Sequence, residues 1–197
     1  MGTYINIGNA GFQRARNSEY VDKSGLIAVV NSTLFTERSF SCVTRCRRFG
    51  KSMAAKMLCA YYDQSCDSRS LFTDLEIAGD PSFEKHLNKY PVIYLDMSEF
   101  MDATQEDRAN IVPYIQRELR KDLLAEYPDV TVDDDDRLFQ VLLKVCLATK
   151  KQFILIIDEW DAICREYSPG TNVMDQYVNW LRSMFKGVNA SRVFAAV

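Results

Sequence analysis

The chain has 197 residues, with 24 Lys or Arg against 27 Asp or Glu and a formal net charge of −3. Its 47% apolar and 26% charged residues are ordinary globular usage, and this length suits one domain that buries roughly two-thirds of its unfolded surface. The charge balance excludes a domain-wide basic footprint for nucleic acid. Six cysteines without a C-x-x-C pair and a single histidine, His86, speak against a clustered zinc site and for reduced thiols. No apolar run approaches the roughly 18 residues of a membrane span, and the first residues lack a basic segment followed by an apolar one. The expectation is a cytoplasmic protein with no membrane partner.

The first 36 residues read as a mixed lead-in with a short helix near Ser24–Val30. Phe40–Thr44 then reads as a short buried strand. It runs into Arg-Cys-Arg-Arg-Phe-Gly-Lys-Ser at 45–52 and a helix from about Lys51 to Tyr62, apolar on nearly every face. Pro91 opens a second strand, Val92–Asp96, of β-branched and aromatic character. Two amphipathic helices follow, one marked by Ile111, Ile115, Leu119 and Leu123, the other by Leu138, Val141, Leu142 and Val145. Between them Asp133–Asp136 reads as a solvated loop whose last carboxylates cap the next helix. No glycine or further ligand pattern of a calcium loop accompanies the run. Phe153–Ile157 is a continuous aliphatic strand of the kind buried in the middle of a parallel sheet. A helix with Val173, Tyr177, Trp180, Leu181 and Met184 precedes a last strand, Arg192–Val197. Strands alternating with helices predict a three-layer α/β fold with a mainly parallel central sheet. The chain stops on a hydrophobic strand, so a fragment of a longer protein is expected.

Ligands of such sheets bind beyond the carboxyl ends of the strands. Gly50-Lys51-Ser52 is the second half of a G-x-x-x-x-G-K-[ST] loop, with Arg45 where the first glycine would stand. In such a loop, backbone N–H groups from Arg45 through Cys46, Arg47, Arg48, Phe49 and Gly50 to Met53 face phosphate oxygens at a helix N-terminus. Lys51 would reach the β- and γ-phosphates, and the Ser52 hydroxyl would ligate magnesium. Asp158-Glu159 closes the strongest strand. There Asp158 would hold magnesium, and Glu159 would polarise a water for attack on the γ-phosphate. Against this stands the bland alternative of a carboxylate pair capping a helix. Arg47 and Arg48 are read as neutralising nucleotide phosphates, as nucleic-acid contacts, or as solvated side chains.

The loop at 45–52 resembles the R-P-R-R-F-G-K-S loop of the predicted AAA-ATPase-like family of bacteria and anaerobic microbes, which also lacks the first glycine. Three further segments are similar to that family: Tyr20–Ser24 to its Y-V-D-K-T, Tyr90–Asp96 to its Y-P-V-I-Y-L-D, and Leu155–Asp161 to its L-I-D-E-Y-D. The resemblance runs from about Ile7 to Val197. It implies a P-loop ATPase of the additional-strand type, with 192–197 lying between the loop strand and the Asp-Glu strand. It implies phosphate contact by Lys51, magnesium at Ser52 and Asp158, and water activation by Glu159. It also draws Tyr20, Asp22 and Lys23 toward the nucleotide without giving them a role. Cys46 departs from the family's proline and Trp160 from its tyrosine. Family members continue further, often into a nuclease-like domain with a PD-(D/E)xK pattern. The expected domain, residues 37–197, thus stops after its fourth core strand, before a γ-phosphate-sensing residue and a fifth strand.

The leading expectation is ATP binding with magnesium-dependent hydrolysis. The alternatives are a nucleotide-gated module that does not turn over and a nucleic-acid-associated module. Self-association and, in a longer chain only, nucleic acid stay open as partners.

Overall fold

A computed structural model describes residues 2–44, 46, 48–186 and 189–197. In chain order the elements are α1 (Ala10–Arg16), α2 (Gly25–Thr33), α3 (Lys51–Tyr62), α4 (Phe83–His86), β1 (Val92–Asp96), α5 (Gln105–Ala109), α6 (Ile111–Glu126), α7 (Leu138–Thr149), β2 (Phe153–Asp158), α8 (Ala162–Glu166), α9 (Asn172–Phe185), α10 (Ala190–Val193) and β3 (Phe194–Ala196). They fall into two compact units. The first is Met1–Tyr94, Lys151–Ile156 and Phe194–Val197; the second is Leu95–Lys150 and Ile157–Val193.

The sheet is ordered β1-β2-β3, with β2 and β3 parallel and Phe153 opposite Phe194. Phe153–Leu155 are buried, as a strand covered on both faces requires. Burying a phenylalanine such as Phe153 contributes roughly 1.5–3 kcal/mol. On one edge the chain start runs antiparallel to β1: the Asn6 N–H bonds the Val92 carbonyl at 2.8 Å, and the Tyr94 N–H bonds Tyr4 at 2.8 Å. On the other edge Val197 exchanges hydrogen bonds with Ser39 and Ser41 at 3.0 and 2.7 Å. The C-terminal strand therefore lies between β2 and the segment leading to the 45–52 loop, the place that the resemblance implied for it.

That segment corrects the sequence reading. Phe40–Thr44 is not a buried strand: Phe40 is 40% and Val43 50% exposed, and among the described residues the sheet has three strands rather than four. An edge segment leaves one side to solvent, so apolar residues there do not imply burial. The last strand is also shorter than expected, because Ala190–Val193 completes a helical turn before Phe194.

In the first unit, Ile5, Phe12 and Ile27 are fully buried and Phe12 and Ile27 share a core with Met57, Tyr61, Tyr62 and Phe72. Only the C-terminal half of α3 is buried, while Lys51–Lys56 stay half-exposed. A buried hydrogen-bond network satisfies the polar tips there. Tyr62 donates to Asn31 Oδ1 at 2.7 Å, and Asn31 donates to Tyr61 Oη at 3.1 Å and Ser82 Oγ at 2.8 Å. Residues 63–90 carry little regular structure and are pinned by side chains instead. Asp63 Oδ2 accepts the Gly8 N–H at 2.6 Å, and Asn88 donates to the Ala60 and Asp63 carbonyls at 3.0 and 2.7 Å.

In the second unit α6 and α7 bury the periodic faces read from the sequence. The acidic run between them does not cap α7. Arg137 occupies that position, its N–H on Gln140 Oε1 at 2.8 Å. Lys144 instead bridges Asp133 and Asp136, and Arg120 donates to the carbonyls of both. Four adjacent carboxylates repel one another, so basic side chains from the flanking helices gather the loop.

Candidate functional site

The loop before α3 is shaped by its backbone. Gly50 caps the helix in the left-handed region, φ 75° and ψ 31°, and its carbonyl accepts the Ala54 N–H at 3.0 Å. Arg48 also has positive φ, 68°, which costs an L-residue free energy. A twelve-residue helix starting at Lys51 brings the positive end of its dipole to the loop. Lys51 Nζ lies 3.5 Å from the Cys46 carbonyl. Ser52 and Met53 follow, half-exposed, on the first turn. Arg45 and Arg47 lie outside the described residues.

A residue that the local sequence does not bring near completes the loop. Lys23 Nζ donates to the Phe49 carbonyl, and a Cβ added at Gly50 would stand 2.6 Å from it. Position 50 thus needs glycine for its φ and accommodates the ammonium in the space a side chain would occupy. Lys23 is held in place by its neighbours. Asp22 accepts N–H bonds from Ser24 at 2.7 Å and Glu76 at 2.8 Å, and Ser24 Oγ accepts the Ile77 N–H at 3.1 Å. Partial burial pushes the Asp22 carboxyl upward, but the Glu76 and Ser24 bonds outweigh it and hold it below the usual range. Tyr20 donates to Met57 Sδ at 3.3 Å, and burial raises its phenol. Between this segment and the loop opens a cleft of about 310 Å³ lined by Glu19, Tyr20, Val21, Phe49, Met53 and Ala54, among others.

In the other unit, Asp158 ends β2 only 5% exposed, and its Oδ1 accepts the Glu159 N–H at 3.0 Å. Its carbonyl accepts the Met97 N–H at 3.0 Å. Glu159 is in the left-handed region, φ 49°, a conformation a glutamate adopts only when its surroundings impose it. Its Oε2 accepts from Arg165 at 2.6 Å, and the same guanidinium reaches Asp161 Oδ1 at 2.9 Å. The Glu159 hydrogen bond, with smaller contributions from both carboxylates, raises the Arg165 pKa. Tyr177, buried, donates to the Trp160 carbonyl at 2.8 Å and fixes the turn.

Residues 6–196 match the family described as AAA-ATPase_like, predicted AAA-ATPase. The chain belongs to that family. No curated protein and no solved structure matches it. In this predicted AAA-ATPase the loop–helix junction and the acidic strand end stand where the sequence put them. The sequence drew Lys23 toward the loop without giving it a role, and it left Arg165 unnamed. Lys23 is far from Gly50 in the chain, and only its family-like segment hinted at it. Arg165 follows Asp161 by four residues on a helical turn, a spacing that charge patterning could have flagged. Among the described residues no helix is long and apolar enough to cross a membrane, and no group of three or more His, Cys, Asp or Glu is placed to hold a metal.

Proposed function

We propose that this member of the predicted AAA-ATPase family binds ATP at the loop before α3 and hydrolyses it with magnesium. The observation that carries the reading is the junction of a left-handed Gly50 with the start of a long helix beside Lys51 and Ser52. Helix starts of this kind favour anionic phosphate groups. Cys46, Arg48, Phe49 and Gly50 supply the loop backbone, Lys51 the counter-charge, and Arg45 and Arg47 further cationic groups from the same loop. Hard oxygen donors suit magnesium, and each unit by itself offers one of this kind, the Ser52 hydroxyl on the first turn of α3 and the Asp158 carboxylate at the end of β2. When bound, it would neutralise phosphate charge. Glu159 is the water-polarising base in this reading, its carboxylate direction set by Arg165.

Calorimetric titration with magnesium-ATP tests it. Saturable binding by the chain, lost in Lys51→Ala, is the expected outcome. No binding by protein that circular dichroism shows to be folded would overturn it.

One observation favours a second reading, a nucleotide-gated module without turnover of its own. The Glu159 carboxylate is already engaged by Arg165. Tight ATP binding with no phosphate release would select that reading.

A further inference from the structure

We propose that the first unit carries a docking surface for single-stranded nucleic acid, running from Arg48 along α3 to Lys56 and across to Arg14 on α1. It does not depend on how the loop before α3 handles nucleotide.

The chain's net charge of −3 conceals an uneven division. The first unit has 13 Lys or Arg against 9 Asp or Glu, a net of +4, and the second has 11 against 18, a net of −7. Residues 38–56 hold six of those basic side chains and no acidic one. Much of the negative charge in the first unit is already engaged within it. Asp74 pairs with Arg16, and Glu84 with Arg69. Asp22 accepts N–H bonds from Ser24 and Glu76, Asp63 from Gly8 and Ser65, and Asp80 from Ser82. Among the described residues Arg14, Arg38, Arg48 and Lys56 form no ion pair. Packing lines up three of these cations. Lys56 stands one turn past Ser52 on α3, and its methylenes lie across α1 at Gly11, where an added Cβ would stand 3.3 Å from Lys56 Cδ. Arg14, exposed, stands one turn past Gly11. Arg48, also exposed, lies in the loop that starts α3. Successive cations with no carboxylate to neutralise them suit a partner whose negative charge repeats along a chain. Two apolar side chains choose among such partners. Phe40 and Val43, 40% and 50% exposed, lie in the segment between Arg38 and Arg48. An exposed aromatic ring amid cations stacks a base, which an acidic peptide or a phospholipid headgroup lacks. A single strand leaves its bases open to that stacking, and a duplex does not.

The test is fluorescence anisotropy of labelled oligothymidylate and oligouridylate, about 20 nucleotides long, titrated with the full chain. Binding of either supports the assignment, and the tighter of the two names DNA or RNA as the source. Affinity falls by about 20- to 50-fold between about 50 and about 200 mM salt, the response of roughly three or four neutralised phosphates. Arg14→Gln with Lys56→Gln lowers the slope of log affinity against log salt by about 1.4 and leaves the circular dichroism spectrum unchanged. Arg14→Gln alone, at an exposed position, lowers the slope by about half as much. Phe40→Ala weakens binding by about 5-fold or more at an unchanged salt slope. No binding of either strand at low salt, or an unchanged slope in both charge variants, would overturn the surface. Equally tight binding of polyglutamate, which has the charge without the bases, or unchanged affinity in Phe40→Ala would overturn its assignment to nucleic acid.

Discussion

The loop before α3 and the end of β2 reach an unusual geometry by opposite means. Around Gly50 the backbone itself bends, with two left-handed residues, and a single lysine from a distant turn reaches in to a carbonyl. At Glu159 one left-handed residue is followed by side-chain charge: Arg165 spans Glu159 and Asp161, and Tyr177 braces the turn between them. Backbone N–H groups are fixed donors for an anion and need no charge of their own. A carboxylate that must act on water needs its direction set, and an adjacent guanidinium supplies that. The two ends should therefore fail differently under substitution.

The largest separation is expected from Glu159→Gln. The amide keeps the size of the side chain and cannot take a proton. Turnover falls by about 100-fold or more, while magnesium-ATP affinity measured by calorimetry stays within about twofold of the parent. Unchanged phosphate release would remove Glu159 from the chemistry.

Gly50→Ala attacks the loop through its backbone. The added Cβ would meet the lysine ammonium, but that is the tip of a flexible chain and swings aside. The strain of a positive φ remains, about 1–2 kcal/mol for an L-residue. ATP affinity should fall by roughly 5- to 30-fold. Combining it with Lys23→Ala should not restore binding. Restoration by the double variant would show that steric exclusion by Lys23, not φ, is what demands glycine.

Arg165→Ala attacks the other end through charge. The pair is partly exposed, so stability should change by less than about 1 kcal/mol in urea titration. Phosphate release should drop by about 3- to 10-fold at unchanged ATP affinity, because the left-handed backbone alone does not aim the carboxylate. A rise in release would mean that Arg165 withholds Glu159, and would favour the gated reading.

The contrast also explains what the sequence made legible. Phe153–Ile157, an unbroken aliphatic run, and the four-residue spacing of α6 are patterns of burial, and both stand in the structure. The same logic misplaced Phe40–Thr44, where apolar residues lie along a sheet edge. Residues 63–90 gave no periodic signal because Asp63 and Asn88 hold them through tertiary hydrogen bonds. The two candidate segments, Gly50-Lys51-Ser52 and Asp158-Glu159, are each local in sequence and were readable. The Lys23 contact is made by the fold, and no local pattern encodes it.

The smallest effect is expected at Asp22, which supports the loop at one remove by anchoring the turn that carries Lys23. Asp22→Asn weakens its acceptance of the Ser24 and Glu76 N–H bonds. The carboxylate is largely exposed, so the loss should be below about 1 kcal/mol near neutral pH. The sign of its pH dependence follows from its lowered pKa. Between the folded value and the ordinary 3.8, the unfolded chain holds the proton that the folded chain does not, so stability rises with pH there. The stability that Asp22 contributes is thus fully present well above pH 3.8 and is lost as pH falls through the folded value. Urea midpoints of parent and variant should differ by a constant amount from about pH 5.5 to 7 and converge below about pH 4. A gap that persists undiminished at low pH would mean that Asp22 anchors the turn by shape rather than by its charge.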